Sequence, residues 1–308
     1  MGYRSDWSVP DPAAGEVKVR INACGLNFAD LLMIGGTYQE TPPLPFVPGL
    51  EICGRVETVG ADVDGLVPGD RIAAFCGHGG LAEHAVIDAA RCFRVPEAME
   101  DHVAAGFPIA YGTSHLALTR RARLLAGETL VVLGAAGGVG LTAVEIGAAL
   151  GARVIAVARG EAKLAVAKAA GAEILIDAAV PDLRAELKSA GPINVVYDAV
   201  GGDPGEAALR ALAPEGRFLA IGFASGRVPE AKLNHLLVKN IDVIGFYWGG
   251  YLGFRPEVLA GSLAELTAMF EADRIKPHVS HVLPFDQIEA GLELLRSRKV
   301  TGKIVIRM

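Results

Sequence analysis

The residues best suited to chemistry lie in one glycine-rich run, GAAGGVG at 134–140, between the apolar stretch TLVVLG (129–134) and a helix-forming stretch from Val139 to Leu150. Glycines at a strand-to-helix turn let the backbone bend sharply and approach a pyrophosphate, whose charge then rests on the helix N-terminus. Against the G-x-G-x-x-G pattern, Ala135 stands at the first position, with Gly137 and Gly140 at the second and third. A plain tight turn is the alternative. The strand before it, the helix after it and a second strand ending at Ala158 favour a dinucleotide site built from Ala135, Ala136, Gly137, Gly138, Val139 and Gly140.

The end of that second strand selects the dinucleotide. A free adenosine ribose is usually held by an Asp or Glu about 20 residues after the motif begins. Here Ala158, Arg159 and Gly160 occupy that region. A guanidinium at Arg159 can grip a 2′-phosphate, and Lys163, one helical turn on, adds a second positive charge. The alternative is a solvated loop cation, which leaves the missing acid unexplained. The expected cofactor is therefore NADPH. Gly222 and Phe223, at the end of the strand-like run GRFLAIG (216–222), are expected on the C-terminal edge of the sheet, where such folds bind ligands.

Metal chemistry has less support. His278-x-x-His281, His78 and His84 have no Cys or carboxylate at ligand spacing, and packed or surface histidines are far commoner. The four cysteines, at 24, 53, 76 and 92, form no C-x-x-C pair, so a disulfide scaffold and a structural zinc knuckle are both unexpected and a reducing cytosol fits.

The elements that must position these residues divide the chain at about Ile109. Before it come short alternating runs, EVKVRINAC (16–24), ICGRVETVG (52–60) and DRIAAFC (70–76), broken by turns and by the proline-rich ETPPLPFVPG (40–49). They predict a β-barrel-like domain. After it, apolar runs at 129–134, 153–158, 173–178, 193–200, 216–222 and 242–248 alternate with helical stretches, which predicts a doubly wound parallel sheet buried on both faces. Amphipathic helices follow at 256–273 and 286–298, and GKIVIRM (302–308) is expected to return as a strand to the first domain. The expected division is 1–108 plus 250–308 against 109–249.

Composition agrees. Of 308 residues, 51% are apolar and 21% charged, which excludes a disordered chain. A net charge of −6 argues against nucleic-acid or anionic-membrane binding. No run is long and apolar enough to span a bilayer, and Asp6, Pro10, Asp11 and Pro12 interrupt any signal peptide.

The pieces ACGLNFADLL (23–32), GGTYQETPPLPFVPGLEICGRV (35–56), PGDRI (68–72), YGTSHLAL (111–118), GAAGGVGLTAVEIGAALGA (134–152) and TGKIVI (301–306) together resemble the zinc-free quinone oxidoreductase, or zeta-crystallin-like, branch of the medium-chain dehydrogenase/reductase superfamily. The resemblance spans nearly the whole chain, although the N-terminus reads as short by one strand. It implies an α/β protein: a discontinuous GroES-like β-barrel catalytic domain plus a Rossmann cofactor domain. Zinc-dependent relatives carry a Cys at the position of Asn27 and a His at that of Leu50, beside Glu51, so no metal is expected. The resemblance further implies Asn27 and Tyr38 as catalytic residues on the substrate side of the nicotinamide, with Thr113 close to its ring. The implied function is cytoplasmic, NADPH-dependent reduction of a small quinone or α,β-unsaturated carbonyl. An enoyl-thioester reductase and a nucleotide-binding protein without turnover, crystallin-like or RNA-binding, stand as alternatives. A homodimer is expected through DVIGFYW, which reads as an edge strand.

Overall fold

The computed structural model describes residues 2–308. In chain order its strands are β1 (Glu16–Leu26), β2 (Glu51–Val59), β3 (Arg71–Phe75), β4 (His84–Asp88), β5 (Cys92–Arg94), β6 (Thr129–Leu133) and β7 (Arg153–Ala158). They continue with β8 (Ile174–Asp177), β9 (Val195–Asp198), β10 (Arg217–Ala220), β11 (Asp242–Gly245), β12 (Val279–Pro284) and β13 (Lys303–Arg307). The helices are α1 (Phe28–Ile34), α2 (Asp101–Ala105), α3 (Pro108–Leu116), α4 (Gly138–Ala149), α5 (Glu161–Ala169) and α6 (Leu183–Ser189). After them come α7 (Gly202–Ala211), α8 (Leu233–Lys239), α9 (Tyr251–Phe254), α10 (Pro256–Glu271) and α11 (Ile288–Arg296).

The chain divides into two compact units: residues up to Pro108 with His281–Lys299 and Lys303–Met308, and Ile109–Ser280 with Val300–Gly302. In the first, a seven-stranded sheet runs β12-β13-β1-β2-β3-β5, with β4 also paired to β1. β1 turns Val17, Val19 and Ile21 inward, while Lys18 and Arg20 alternate outward. Its second half is buried on both faces. At Gly25 a Cβ would fall 2.4 Å from the Ala105 carbonyl oxygen, so only glycine lets α2 lie this close. β13, with Ile304, Val305 and Ile306 fully buried, pairs antiparallel with that half and closes the unit, the return expected from the sequence.

The second unit is a six-stranded parallel sheet in the order β11-β10-β9-β6-β7-β8. Numbered within the unit this is 3-2-1-4-5-6, the Rossmann order, and the topological switch falls between β6 and β9. β6 is buried along its whole length, as its unbroken apolar run requires. Two stretches expected in the barrel unit, 250–280 and 300–302, group with this unit instead. Residues 250–280 belong to this unit and not to the barrel, because α10 buries Leu259, Leu263, Leu266 and Met269 here and its Ser262 hydroxyl bonds to His115 Nδ1 at 2.8 Å.

Candidate functional site

The glycine-rich run forms the turn between β6 and α4. The Gly134 and Ala135 amides both donate to the Val157 carbonyl, at 3.0 and 3.1 Å, tying this turn to the end of β7. The left-handed position of the turn falls on Gly134 (φ +73°), one residue before the first position of the expected pattern. Ala135 sits at ordinary φ with its methyl buried, which explains why alanine serves there. Gly140 is needed for approach: a Cβ would lie 2.1 Å from the Gly134 oxygen. Gly137, extended and exposed, precedes α4, and its carbonyl accepts the first helical bond from Leu141 at 2.8 Å. An α-helix leaves its first amides without internal acceptors, here those of Gly138, Val139 and Gly140, and that end carries partial positive charge.

Three other expected cofactor residues belong to the same unit. Thr113 is buried on α3, and its neighbour Ser114 bonds through Oγ to the Val139 carbonyl (2.9 Å), Thr142 (2.8 Å) and Tyr197 (2.9 Å), fixing α3 against the start of α4. Gly222 and Phe223 follow β10 at the C-terminal edge of the sheet. The Gly222 amide donates to the Asp198 carbonyl at 3.2 Å, and Phe223 is 42% exposed. The Asp198 carboxylate in turn accepts the Val200 and Gly201 amides, both at 2.8 Å, shaping the loop after β9. Burial pushes that carboxyl up.

Arg159 is exposed at the end of β7, and Lys163 is half-buried on α5. Between them Gly160 adopts φ +83°, and its amide donates to Asp177 Oδ2 at 3.1 Å. Asp177 Oδ1 accepts the Ala179 amide at 2.9 Å, so backbone donors engage both oxygens of this carboxylate. Sequence reasoning did not single out Asp177.

Asn27 and Tyr38 belong to the first unit. Tyr38 is half-buried in the loop after α1. Asn27 precedes α1 and is 9% exposed, at the centre of a buried polar cluster. Its Nδ2 donates to Glu51 Oε1 at 2.9 Å and to the Gly25 carbonyl at 3.3 Å, while its Oδ1 accepts from Lys303 Nζ at 2.8 Å. An ammonium only donates and a carboxylate only accepts, so the amide orientation is fixed by chemistry. Lys303 Nζ spends its other two protons on Glu51 Oε1 and the Leu26 carbonyl, each at 2.8 Å. Beneath the cluster, fully buried Asp30 accepts the Asn27 and Gly49 amides at 2.8 and 3.0 Å, and desolvation raises its pKa to about 7.

Leu50, at the other ligand position of zinc-dependent relatives, is a core side chain, 2% exposed. His278 Nε2 bonds to Thr301 Oγ1 at 3.0 Å, and His84 Nε2 pairs with Glu57 at 3.3 Å. Among the described residues no three His, Cys, Asp or Glu side chains gather to hold a metal ion, none of the four cysteines is in a disulfide, and no helix is long and apolar enough to cross a membrane.

Comparison with known proteins agrees with this geometry. Residues 13–97 match the alcohol dehydrogenase GroES-like domain family, and residues 138–267 match the zinc-binding dehydrogenase family. The chain is 38% identical over 306 residues to quinone oxidoreductase-like protein 2 homolog of Nematostella vectensis, covering 97% of this chain and 84% of that one. The quinone oxidoreductase of Thermus thermophilus, solved alone and with NADPH, superposes with a TM-score of 0.87 at 34% identity, over 98% of this chain and 95% of that chain. The Escherichia coli quinone oxidoreductase complexed with NADPH gives a TM-score of 0.90 at 30% identity, over 98% and 94%.

Proposed function

The chain belongs to the medium-chain dehydrogenase/reductase superfamily, alongside quinone oxidoreductase-like proteins, and from that premise we propose that it reduces quinones or α,β-unsaturated carbonyls with NADPH and without a metal. The observation that carries this reading is the turn at the head of α4. Only glycine fits at Gly140, and the free amides there suit a pyrophosphate, in a fold shared with quinone oxidoreductases crystallised with NADPH. The cofactor supplies the hydride.

The protein's part is to bind, orient and polarise. Gly138, Val139 and Gly140 offer amides to the pyrophosphate, with Ala135, Ala136 and Gly137 shaping the turn. Arg159 and Lys163 meet the 2′-phosphate, while Thr113, Gly222 and Phe223 contact the rest of the dinucleotide. Asn27 and Tyr38 act on the acceptor. The amide of Asn27 can polarise a carbonyl by exchanging its long bond to the Gly25 oxygen for one to the substrate, while Lys303 and Glu51 keep it in place. That exchange aims a donor where negative charge develops without a Lewis acid.

The test is steady-state NADPH oxidation by the full chain with a quinone, an enone and an enoyl-coenzyme A thioester, in the presence and absence of a strong chelator. Turnover of the quinone or enone, undiminished by chelator, is expected. Turnover of the thioester alone, loss of activity with chelator, or NADPH binding without turnover would each displace this reading.

A further inference from the structure

The outer face of the barrel unit carries an arrangement that the reductase reading does not use. Across four adjacent strands, basic residues occupy directly opposed positions: His84 on β4 faces Arg20 on β1, Arg20 faces Arg55 on β2, and Arg55 faces Arg71 on β3. Directly opposed residues project from the same face of a sheet. Arg20 is exposed between the buried Val19 and Ile21, so this face is the outer one. Neighbouring strands lie about 4.8 Å apart, which gathers the three guanidinium-bearing positions into about 10 Å. Like charges set directly opposite one another destabilise a sheet, and here two such pairs adjoin.

Internal neutralisation is incomplete. Arg71 pairs with Asp101 at 3.1 Å, His84 with Glu57 at 3.3 Å, and His102 with Glu100 at 3.3 Å. Asp101 also accepts from Asn22 at 2.8 Å and Cys53 at 3.5 Å, so both of its oxygens are engaged. Arg55 reaches only the Gly69 carbonyl, at 3.1 Å. Arg20 and Arg307 make no ion pair and no side-chain hydrogen bond among the described residues. Arg71 adds a buried Nε proton without an acceptor. All four arginines line one recess of about 730 Å³, which also takes in Glu83, Glu100, Asp101 and the chain-terminal Met308; of the three acidic side chains, Glu83 makes no ion pair among the described residues.

We propose that this recess is a binding site for a small anion bearing a diphosphate, separate from the dinucleotide turn of the other unit. A guanidinium grips one phosphate through two parallel bonds. A row of guanidinium groups on successive strands serves a second phosphate joined to the first, and the ligand cancels the repulsion within the row. A single phosphate leaves part of the row unpaired.

The experiment is calorimetric titration of the full chain with inorganic pyrophosphate, orthophosphate and ADP, in phosphate-free buffer with NADPH saturating so that the glycine turn is occupied. The wild type is expected to bind pyrophosphate saturably and at least about tenfold more tightly than orthophosphate. Arg20→Gln/Arg55→Gln is expected to lose at least about tenfold of that affinity. ADP binding more tightly than pyrophosphate assigns the natural ligand as a nucleotide; equal binding assigns the diphosphate alone. Thermal unfolding separates this from a structural role. Without anion the double variant should melt no lower than the wild type, because repulsion is relieved, while pyrophosphate should raise the wild-type midpoint only. No saturable binding, equal affinity for orthophosphate, or equal affinity in the double variant overturns the proposal. The last of these would show that the anion binds elsewhere on the chain.

Discussion

At the scale of the residue, the polar cluster around Asn27 is the part of the barrel unit with the most at stake energetically. Glu51 is fully buried, the Lys303 side chain is 6% exposed, and they meet at 2.8 Å with further hydrogen bonds to Asn27 and the Leu26 carbonyl. Removing one member of such a pair costs about 3–5 kcal/mol, because its partner is left buried and uncompensated, whereas removing both charges together can be nearly neutral. Lys303→Met alone should therefore lower unfolding free energy in urea by about 3–5 kcal/mol, and adding Glu51→Gln should restore most of it. Additive losses in the double variant would show that the two side chains do not act as a pair. Lys303 was legible in one respect: it is a lone charge in the otherwise apolar run GKIVI, which demands a buried partner. Its partner is 252 positions away, and no local pattern names a contact at that range.

At the scale of the element, the sheet of the second unit was readable because each strand is a short, mostly apolar run ended by a turn. The runs at 129–134 and 153–158 correspond to β6 and β7 within a residue. The short elements of the barrel unit escaped reading. α1 has seven residues and β4 five, lengths at which local preference decides little and tertiary contacts decide most. α1 is fixed by the buried Asp30 carboxylate on the Asn27 and Gly49 amides, and one of those lies in a distant loop. Cofactor selectivity resides in an element too, since the loop joining β7 to α5 presents Arg159. The nearby Asp177 is already engaged by two backbone amides, and Arg159 is exposed. A charge-assisted hydrogen bond contributes about 1.5–3 kcal/mol, so Arg159→Ala should weaken NADPH binding by about 10–150-fold and leave NADH binding almost unchanged. Lys163→Ala should act in the same direction but less, an ammonium being a point charge on a flexible stem. Equal loss of both dinucleotides, measured by fluorescence titration, would make Arg159 a brace of the loop.

At the scale of the whole molecule, the unpaired edge of the parallel sheet is where we propose that a second copy of the chain docks. β11 ends the sheet, paired on one side with β10 only, and three of its four residues are exposed, Val243 at 43% among them. An exposed strand edge is a template for another strand, and proteins that remain monomeric usually blunt it with lysine, proline or a covering helix. Here the strand itself is Asp-Val-Ile-Gly, and the helix preceding it, α8, adds outward-facing Leu233, Leu237 and Val238, each more than 70% exposed. Apolar surface of this kind beside an open edge fits a two-fold partner that is a second copy of the chain, since an isologous contact pairs the strand with itself. Multi-angle light scattering should accordingly report twice the 32.1 kDa of one chain. Val243→Lys places a charge on the edge and should yield a monomer whose circular dichroism and NADPH binding match the wild type, because β10 and β9 separate β11 from β6, the strand that leads into the glycine turn, and the Val243 side chain is not in the core. A wild type that scatters as one chain, or a Val243→Lys variant that stays dimeric, would show that this edge is closed by some other means.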